Sequence, residues 1–171
     1  HTVRGLLIAT MATGVSFLKN SLDAGDTRAA MAVCEKLAAK ITIHGKNPGA
    51  QSLNLKVKSK GLPLNTGITD FFTANSGITT SFIIPMLGLR NNTDTAVTLR
   101  CGQQMMKRSL QPLIKALNEL GMQVQDLHGN GSCPLSISGC LQGGSAHIDS
   151  PNSQYLSALL MTLPLALKDT E

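Results

Sequence analysis

The sequence predicts an α/β domain assembled from repeated βαβαββ units, and three observations lead there. Apolar helices recur behind small polar openings, at Thr2-Val3-Arg4, Ala74-Asn75-Ser76-Gly77-Ile78 and Ser150-Pro151-Asn152-Ser153-Gln154, spaced about 75 residues apart. Between the openings the elements follow one order twice: helix, strand, helix, strand, strand. The composition, 42% hydrophobic but only 3% aromatic with no Trp, leaves small aliphatic residues and Met to fill the interior, as in tightly packed α/β layers.

With 15% charged residues the chain is a globular protein and not a disordered one. Its formal charge of +5 comes without a Lys/Arg cluster interleaved with aromatics, which argues against nucleic acid and for small anionic ligands. Cys34, Cys101, Cys133 and Cys140 have neither CxxC spacing nor partner histidines. They are expected to be buried free thiols in a reducing compartment, the cytoplasm, with no metal and no cofactor. His1, His44, His128 and His147 lack partners at catalytic or metal spacing. No apolar run reaches membrane-spanning length, and the longest are interrupted by Pro85 and Pro164, so no membrane partner is expected. The sequon Asn91-Asn92-Thr93 is read as chance. A chain that opens on His1 and not on Met reads as a piece of something longer.

Taken in order, Gly5 to Ala12 is a helix, and Val15 to Leu18 is a short strand beyond the break at Gly14. Asp26 caps a helix from Thr27 to Ala39 that places Ala30, Met31, Cys34, Leu37, Ala38 and Ile41 on one face. Strands follow at Ile41 to His44 and Leu53 to Lys58, joined by the turn Lys46-Asn47-Pro48-Gly49. The second alternates Leu53, Leu55 and Val57 with Asn54, Lys56 and Lys58, giving one dry and one wet face. Ile68 to Thr73 is a strand leading into the helix Thr79 to Leu89, and Ala96 to Arg100 is the next strand. Ser109 begins an amphipathic helix carrying Leu110, Leu113, Ile114, Leu117 and Leu120 inward, with Pro112 in the first turn and Gly121 at C′. Strands at Met122 to Leu127 and Leu135 to Ser138 flank the turn His128-Gly129-Asn130-Gly131. A strand at Ala146 to Asp149 and the helix after Pro151 open a third round. The expected units are residues 1–64, 65–142 and an incomplete 143–171, with a first strand before His1 and the rest of the third unit after Glu171.

Equivalent helices in repeated units point their N-termini the same way. The leading N–H groups of a helix are unpaired and dipole-positive. Three such ends, with Arg4 and small polar residues such as Asn152 and Ser153, form a site for a multiply charged anion.

Laid out in this way, the chain resembles the EPSP synthase family, the 3-phosphoshikimate carboxyvinyltransferases of aromatic amino-acid synthesis. The match is carried by Arg4 to Ala9, Leu22 to Arg28, Asn75-Ser76-Gly77, Met106-Lys107-Arg108 with its helix, and Asn152 to Leu160. The resemblance implies two inside-out α/β barrel domains of three βαβαββ units each, with substrates in the cleft between them. This chain would be most of the N-terminal domain, partnered by a C-terminal domain it lacks. The implied reaction transfers the enolpyruvyl group of phosphoenolpyruvate to the 5-hydroxyl of shikimate 3-phosphate. By motif position, Arg4, Asn152, Ser153 and Gln154 would bind shikimate 3-phosphate, and Gly77, Arg108 and Gln154 would bind phosphoenolpyruvate. A guanidinium fork suits carboxylate or phosphate, and a glycine lets an anion approach the backbone.

The departures are specific. Asn152 stands where the family usually has Ser, and Ile78 and Ser81 where it has Thr and Arg, beside the space that phosphoenolpyruvate and the inhibitor glyphosate share. The family's Lys-Ser pair falls before His1 and its acid/base residues lie in the second domain, so no catalytic residue and no metal ligand is assigned here. UDP-N-acetylglucosamine enolpyruvyl transferase shares the architecture, but its loop cysteine and opening Lys-Asn are not seen. That activity, and a non-catalytic anion-binding domain, stand as the alternatives.

Overall fold

A computed structural model describes residues 1–46, 51–149 and 152–171. Its first half runs α1 (Thr2–Met11), β1 (Thr13–Leu22), α2 (Gly25–Lys36), β2 (Lys40–Lys46) and β3 (Ser52–Lys60). The strands form an antiparallel sheet of order β1-β3-β2. The alternation in β3 dictates the layering. Leu53, Leu55, Val57 and Ser59 are buried, with α1 packed on β3, while Lys58 and Lys60 point away to solvent. The strand expected at Val15 to Leu18 is longer, because nearly the whole of β1 finds partners along β3, with one irregularity between Leu18 and Ser21.

Both ends of α2 differ from expectation. Ala24 is its N-cap and Asp26 lies in the first turn, where a carboxylate meets the positive end of the helix without capping it. At the other end Leu37 is the C-cap, and Ala38, at φ +66°, turns into the left-handed region. Ala38 is therefore exposed, and Ala39 takes the buried place. Of the turn expected between β2 and β3, Asn47, Pro48 and Gly49 lie outside the described residues.

The second half runs β4 (Asp70–Phe72), α3 (Gly77–Leu87), β5 (Val97–Arg100), a 3-10 turn (Met105–Lys107), α4 (Gln111–Glu119), β6 (Gln123–Asp126) and β7 (Leu135–Ser138). Its sheet has the order β4-β5-β7-β6, with β4 parallel to β5 and the other pairs antiparallel. The order β5-β7-β6 thus repeats β1-β3-β2. Every residue of α3 except Ile78 is buried, and its hydroxyls are satisfied locally: Thr80 Oγ1 donates to Ser76 O and Ser81 Oγ to Gly77 O. Pro85 does not interrupt it. It sits in the last turn, and the helix continues to Leu87. Around α4 the expected inward face holds, with Leu110, Leu113, Ile114, Leu117 and Leu120 buried, Pro112 in the first turn and Gly121 at φ +94° after the C-cap Leu120, though the helix begins at Gln111 and not at Ser109.

β4 is short, and a two-pronged ion pair fastens it to β5. Arg100 donates from Nε and Nη2 to the two carboxylate oxygens of Asp70 at 2.8 and 2.5 Å. These bonds hold the Asp70 carboxyl below its ordinary pKa. A depressed folded-state pKa contributes stability that is present above the unfolded value of about 3.9 and is lost as pH falls through the folded value. Asp70→Asn is therefore expected to melt lower than the parent at neutral pH and to lose less of its melting temperature between neutral pH and pH 3. Parallel acid limbs in thermal melts would show that the pair does not contribute.

The third round is α5 (Ser153–Thr162), ending in a 3-10 turn (Leu163–Leu165) that contains Pro164. The strand expected at Ala146 to Asp149 is not formed. The extended segment lies earlier: Lys168 N–H donates to Gln142 O, Gly144 N–H to Asp169 O, Glu171 N–H to Gly144 O and Ala146 N–H to Glu171 O. These bonds make a parallel bridge between Gly144 and Thr170. Glycines at 143 and 144 have no side chain to display a strand's alternation, which is why the sequence pattern pointed too far along. Among the described residues no helix is long and apolar enough to cross a membrane.

Candidate anion site at the ends of α3 and α5

The N-termini of α3 and α5 are built by their own side chains. Ser76 Oγ accepts from Thr79 N–H at 3.3 Å and donates to Thr79 Oγ1 at 2.8 Å, while Asn152 Oδ1 accepts from Gln154 N–H at 3.0 Å. The two helices pack against each other. The third contributor is the segment after β5. Gly102 N–H donates to Ala74 O at 2.6 Å, and Asn75 Oδ1 accepts from Gln104 N–H at 3.2 Å, so the Asn75-Ser76-Gly77 motif anchors the loop that carries Arg108. A Cβ at Gly102 would collide with the Asn75 amide, so this latch requires glycine. Ser132 Oγ holds Met106 O at 2.8 Å, and Tyr155 on α5 donates its hydroxyl to Ser109 O at 2.6 Å. Burial pushes the Tyr155 phenol pKa up, with the Asn152 and Arg108 side chains partly offsetting it, so the hydroxyl remains a donor.

These supports bring three of the anticipated residues together. A Cβ at Gly77 would lie 2.9 Å from Arg108 Nη1, 3.3 Å from Met105 Sδ and 3.7 Å from Gln154 Oε1. Glycine leaves room here for the close approach of the guanidinium. Gly77 is buried while Arg108 is exposed, so the fork rests an edge on the start of α3 and faces outward. Among the described residues the ion pairs are Arg28–Asp23, Arg100–Asp70 and Lys115–Glu119, and Arg108 is in none of them. A guanidinium, two helix ends and an amide on one surface suit a carboxylate or a phosphate.

The remaining residues stand around this trio. Arg4 is half-buried with Cζ 5.2 Å from the Phe82 ring centroid, beyond the first turn of α3. Asn152 is occupied as the cap of α5, and Ser153 is exposed at its first position. Ile78 is half-buried against the core, the apolar seat its side chain requires. Met105, Asn75 and Tyr155 were not assigned from sequence. Tyr155 is the only Tyr of the chain and lies within the α5 opening, which was the available signal. A surface depression of about 350 Å³ between Asn118 and Ser138 contains no charged side chain, which separates it from the anion site. Among the described residues no group of three His, Cys, Asp or Glu is placed to hold a metal. Cys34, Cys101 and Cys133 are buried free thiols and Cys140 is half-buried; burial pushes the Cys34 pKa up to about 12.

Comparison with known proteins shows the family and the fold. The sequence model of the EPSP synthase (3-phosphoshikimate 1-carboxyvinyltransferase) family matches residues 1–171. The 3-phosphoshikimate 1-carboxyvinyltransferase of Acetivibrio thermocellus is 33% identical over 171 residues, covering 100% of this chain and 38% of that protein. That of Methanothrix thermoacetophila is 34% identical, covering 99% of this chain and 38% of that protein. Among solved structures, EPSP synthase from Acinetobacter baumannii superposes with a TM-score of 0.81 at 19% identity, over 96% of this chain and 36% of that one. The enolpyruvyl transferase NikO from Streptomyces tendae gives 0.58 at 11% identity, over 98% of this chain and 36% of that one. The chain thus spans 38% of the length of these two curated relatives. With the whole of residues 1–171 matched, the chain belongs to the EPSP synthase family.

Proposed function

We propose that this chain forms the N-terminal part of an enzyme that transfers the enolpyruvyl group of phosphoenolpyruvate to the 5-hydroxyl of shikimate 3-phosphate, in the cytoplasm. The convergence of Gly77, Arg108 and Gln154 carries the reading, because three separate segments deliver them to one anion-binding surface. Arg108 grips phosphoenolpyruvate as a fork, Gly77 lets that ligand reach the start of α3, and Gln154 bridges to the second substrate. Arg4, Asn152 and Ser153 receive shikimate 3-phosphate at the ends of α1 and α5. The 5-hydroxyl gives up its proton and its oxygen bonds to C2 of phosphoenolpyruvate while C3 gains a proton. The tetrahedral adduct then loses a proton from C3 and phosphate from C2, which restores the C2–C3 double bond. Proton transfer belongs to a C-terminal domain; this chain binds, orients and neutralises charge.

The repeated order of the two sheets supports units at 1–64 and 65–142, and the parallel pairing of Gly144 with Thr170 supports a third from 143, since it matches β4 beside β5. The burial of α3 on all sides supports a barrel with helices inside and strands outside.

Calorimetric titration of the full-length protein tests the assignment. Shikimate 3-phosphate should bind, phosphoenolpyruvate should bind to that complex, and phosphate should be released only when both are present. Binding of UDP-N-acetylglucosamine in place of shikimate 3-phosphate would transfer the assignment to the sister activity. Binding of anions without phosphate release would make this a non-catalytic domain.

A further inference from the structure

The outer face of the first sheet carries a second charged surface, away from the helix ends. Lys56, Lys58 and Lys60 follow one another at alternate positions of β3, so they project on one side in a row with a step of about 7 Å. Register adds neighbours that the sequence keeps far apart. Lys40 of β2 lies directly opposite Lys58, Val15 of β1 lies opposite Lys58, and Phe17 lies opposite Lys56. Lys56 Nζ sits 5.7 Å from the Phe17 ring centroid, and the His44 ring meets Phe17 edge-on at 6.2 Å. Lysines and an aromatic do interleave here, through strand pairing and not along the chain.

This face is poorly satisfied as it stands. Like charges directly opposite each other in a sheet repel, and Lys40 faces Lys58. None of the ion pairs among the described residues involves Lys40, Lys56, Lys58 or Lys60. Against a formal charge of +5 for the whole chain, four lysines on one sheet face concentrate the excess. Beside them Val15 is 48% and Phe17 59% exposed. At the Asn54 end of the row a depression of about 130 Å³ is lined by Phe17, Leu18, Lys19, His44, Asn54 and Leu55. Its size suits one apolar side chain.

We propose that the outer face of the β1-β3-β2 sheet docks an acidic protein segment that carries an apolar anchor residue. The carboxylates lie along the Lys56-Lys58-Lys60 row and beside Lys40, and the anchor enters the depression next to Phe17. Charge complementarity selects an anion, and two features select a polypeptide among anions. A nucleic acid uses open aromatic faces for base stacking, whereas Phe17 already has Lys56 over its ring and His44 at its edge. A membrane surface has no single side chain to fill a recess, whereas the depression beside Phe17 has the size of one.

The test titrates the full-length protein against a labelled peptide alternating Glu with Leu and Phe, at low and at high ionic strength. Binding is expected at low ionic strength and should weaken with added salt. The double substitution Lys56→Glu with Lys58→Glu should weaken it at least about tenfold, and Phe17→Ser several-fold, while Lys115→Glu on α4 leaves it unchanged. Because Lys58→Glu also removes the repulsion with Lys40, the doubly reversed protein should melt no lower than the parent. If it does melt lower, the charge-neutralising pair Lys58→Gln with Lys60→Gln provides the same comparison. Peptide affinity unchanged by these substitutions would overturn the proposal. So would tighter binding of oligo(dT), or of phosphatidylserine vesicles, than of the peptide.

Discussion

Replacing Arg108 by Ala in the full-length protein is expected to weaken phosphoenolpyruvate binding by about 2–5 kcal/mol, tens- to thousands-fold, while Arg4→Ala weakens shikimate 3-phosphate more than phosphoenolpyruvate. The magnitude depends on water. In the chain alone the Arg108 side chain is exposed, and an exposed ion pair is worth at most about 1 kcal/mol. The larger figure applies if a second domain closes over the start of α3 and dries the contact between guanidinium and ligand. Calorimetric titration of each variant with each ligand separates the cases. A loss below about 1 kcal/mol for Arg108→Ala would show that the cleft stays wet there. Equal effects of both substitutions on both ligands would reduce the two arginines to a general positive field.

Phe82→Ala is expected to cost about 3–5 kcal/mol of folding stability. Phe82 is 1% exposed in the middle of α3, so the lost ring leaves a cavity that neighbouring elements cannot fill without moving. The same ring carries Arg4 on its face, which joins stability to the site. Phe82→Leu separates the two effects. It keeps most of the volume and should cost much less stability, yet it removes the aromatic face that positions the guanidinium. Denaturant midpoints together with shikimate 3-phosphate titrations read both quantities. Unaltered shikimate 3-phosphate affinity in Phe82→Leu would show that the ring does not position Arg4.

What was legible in the sequence is what local chemistry determines. Pro112 at the start of α4 and Gly121 after its end set that helix to within two residues, and the alternation of β3 told its dry face from its wet one. What was illegible depends on partners distant in the chain. The pairing of Gly144 with Thr170 is made by backbone bonds at glycines, which leave no side-chain pattern. Met105 reaches Gly77 only because Asn75 and Ser132 hold its loop from two sides. The Lys56–Phe17 contact needs the register of β1 on β3, which no periodicity within either strand reveals. Candidate ligand residues were visible as a type at a position. The supports that aim them were not.

The 2.9 Å between a Cβ at Gly77 and Arg108 Nη1 has a consequence for how selectivity can change in this protein. The clearance is less than one methyl group; Arg108 Nη1 ends an exposed side chain that can give, but the Gly77 backbone lies where the axis of α3 puts it. α3 is gripped along its length by the core, with Ile83, Ile84 and Leu87 fully enclosed. Adding or removing a methylene at one of those positions shifts the whole rod, because a packed interior transmits strain. Its tip then moves relative to Arg108 by a fraction of an ångström. Residues that never meet a ligand thus become the adjusting screws for ligand size, and discrimination among near-identical anions can drift through the core while the binding side chains stay the same.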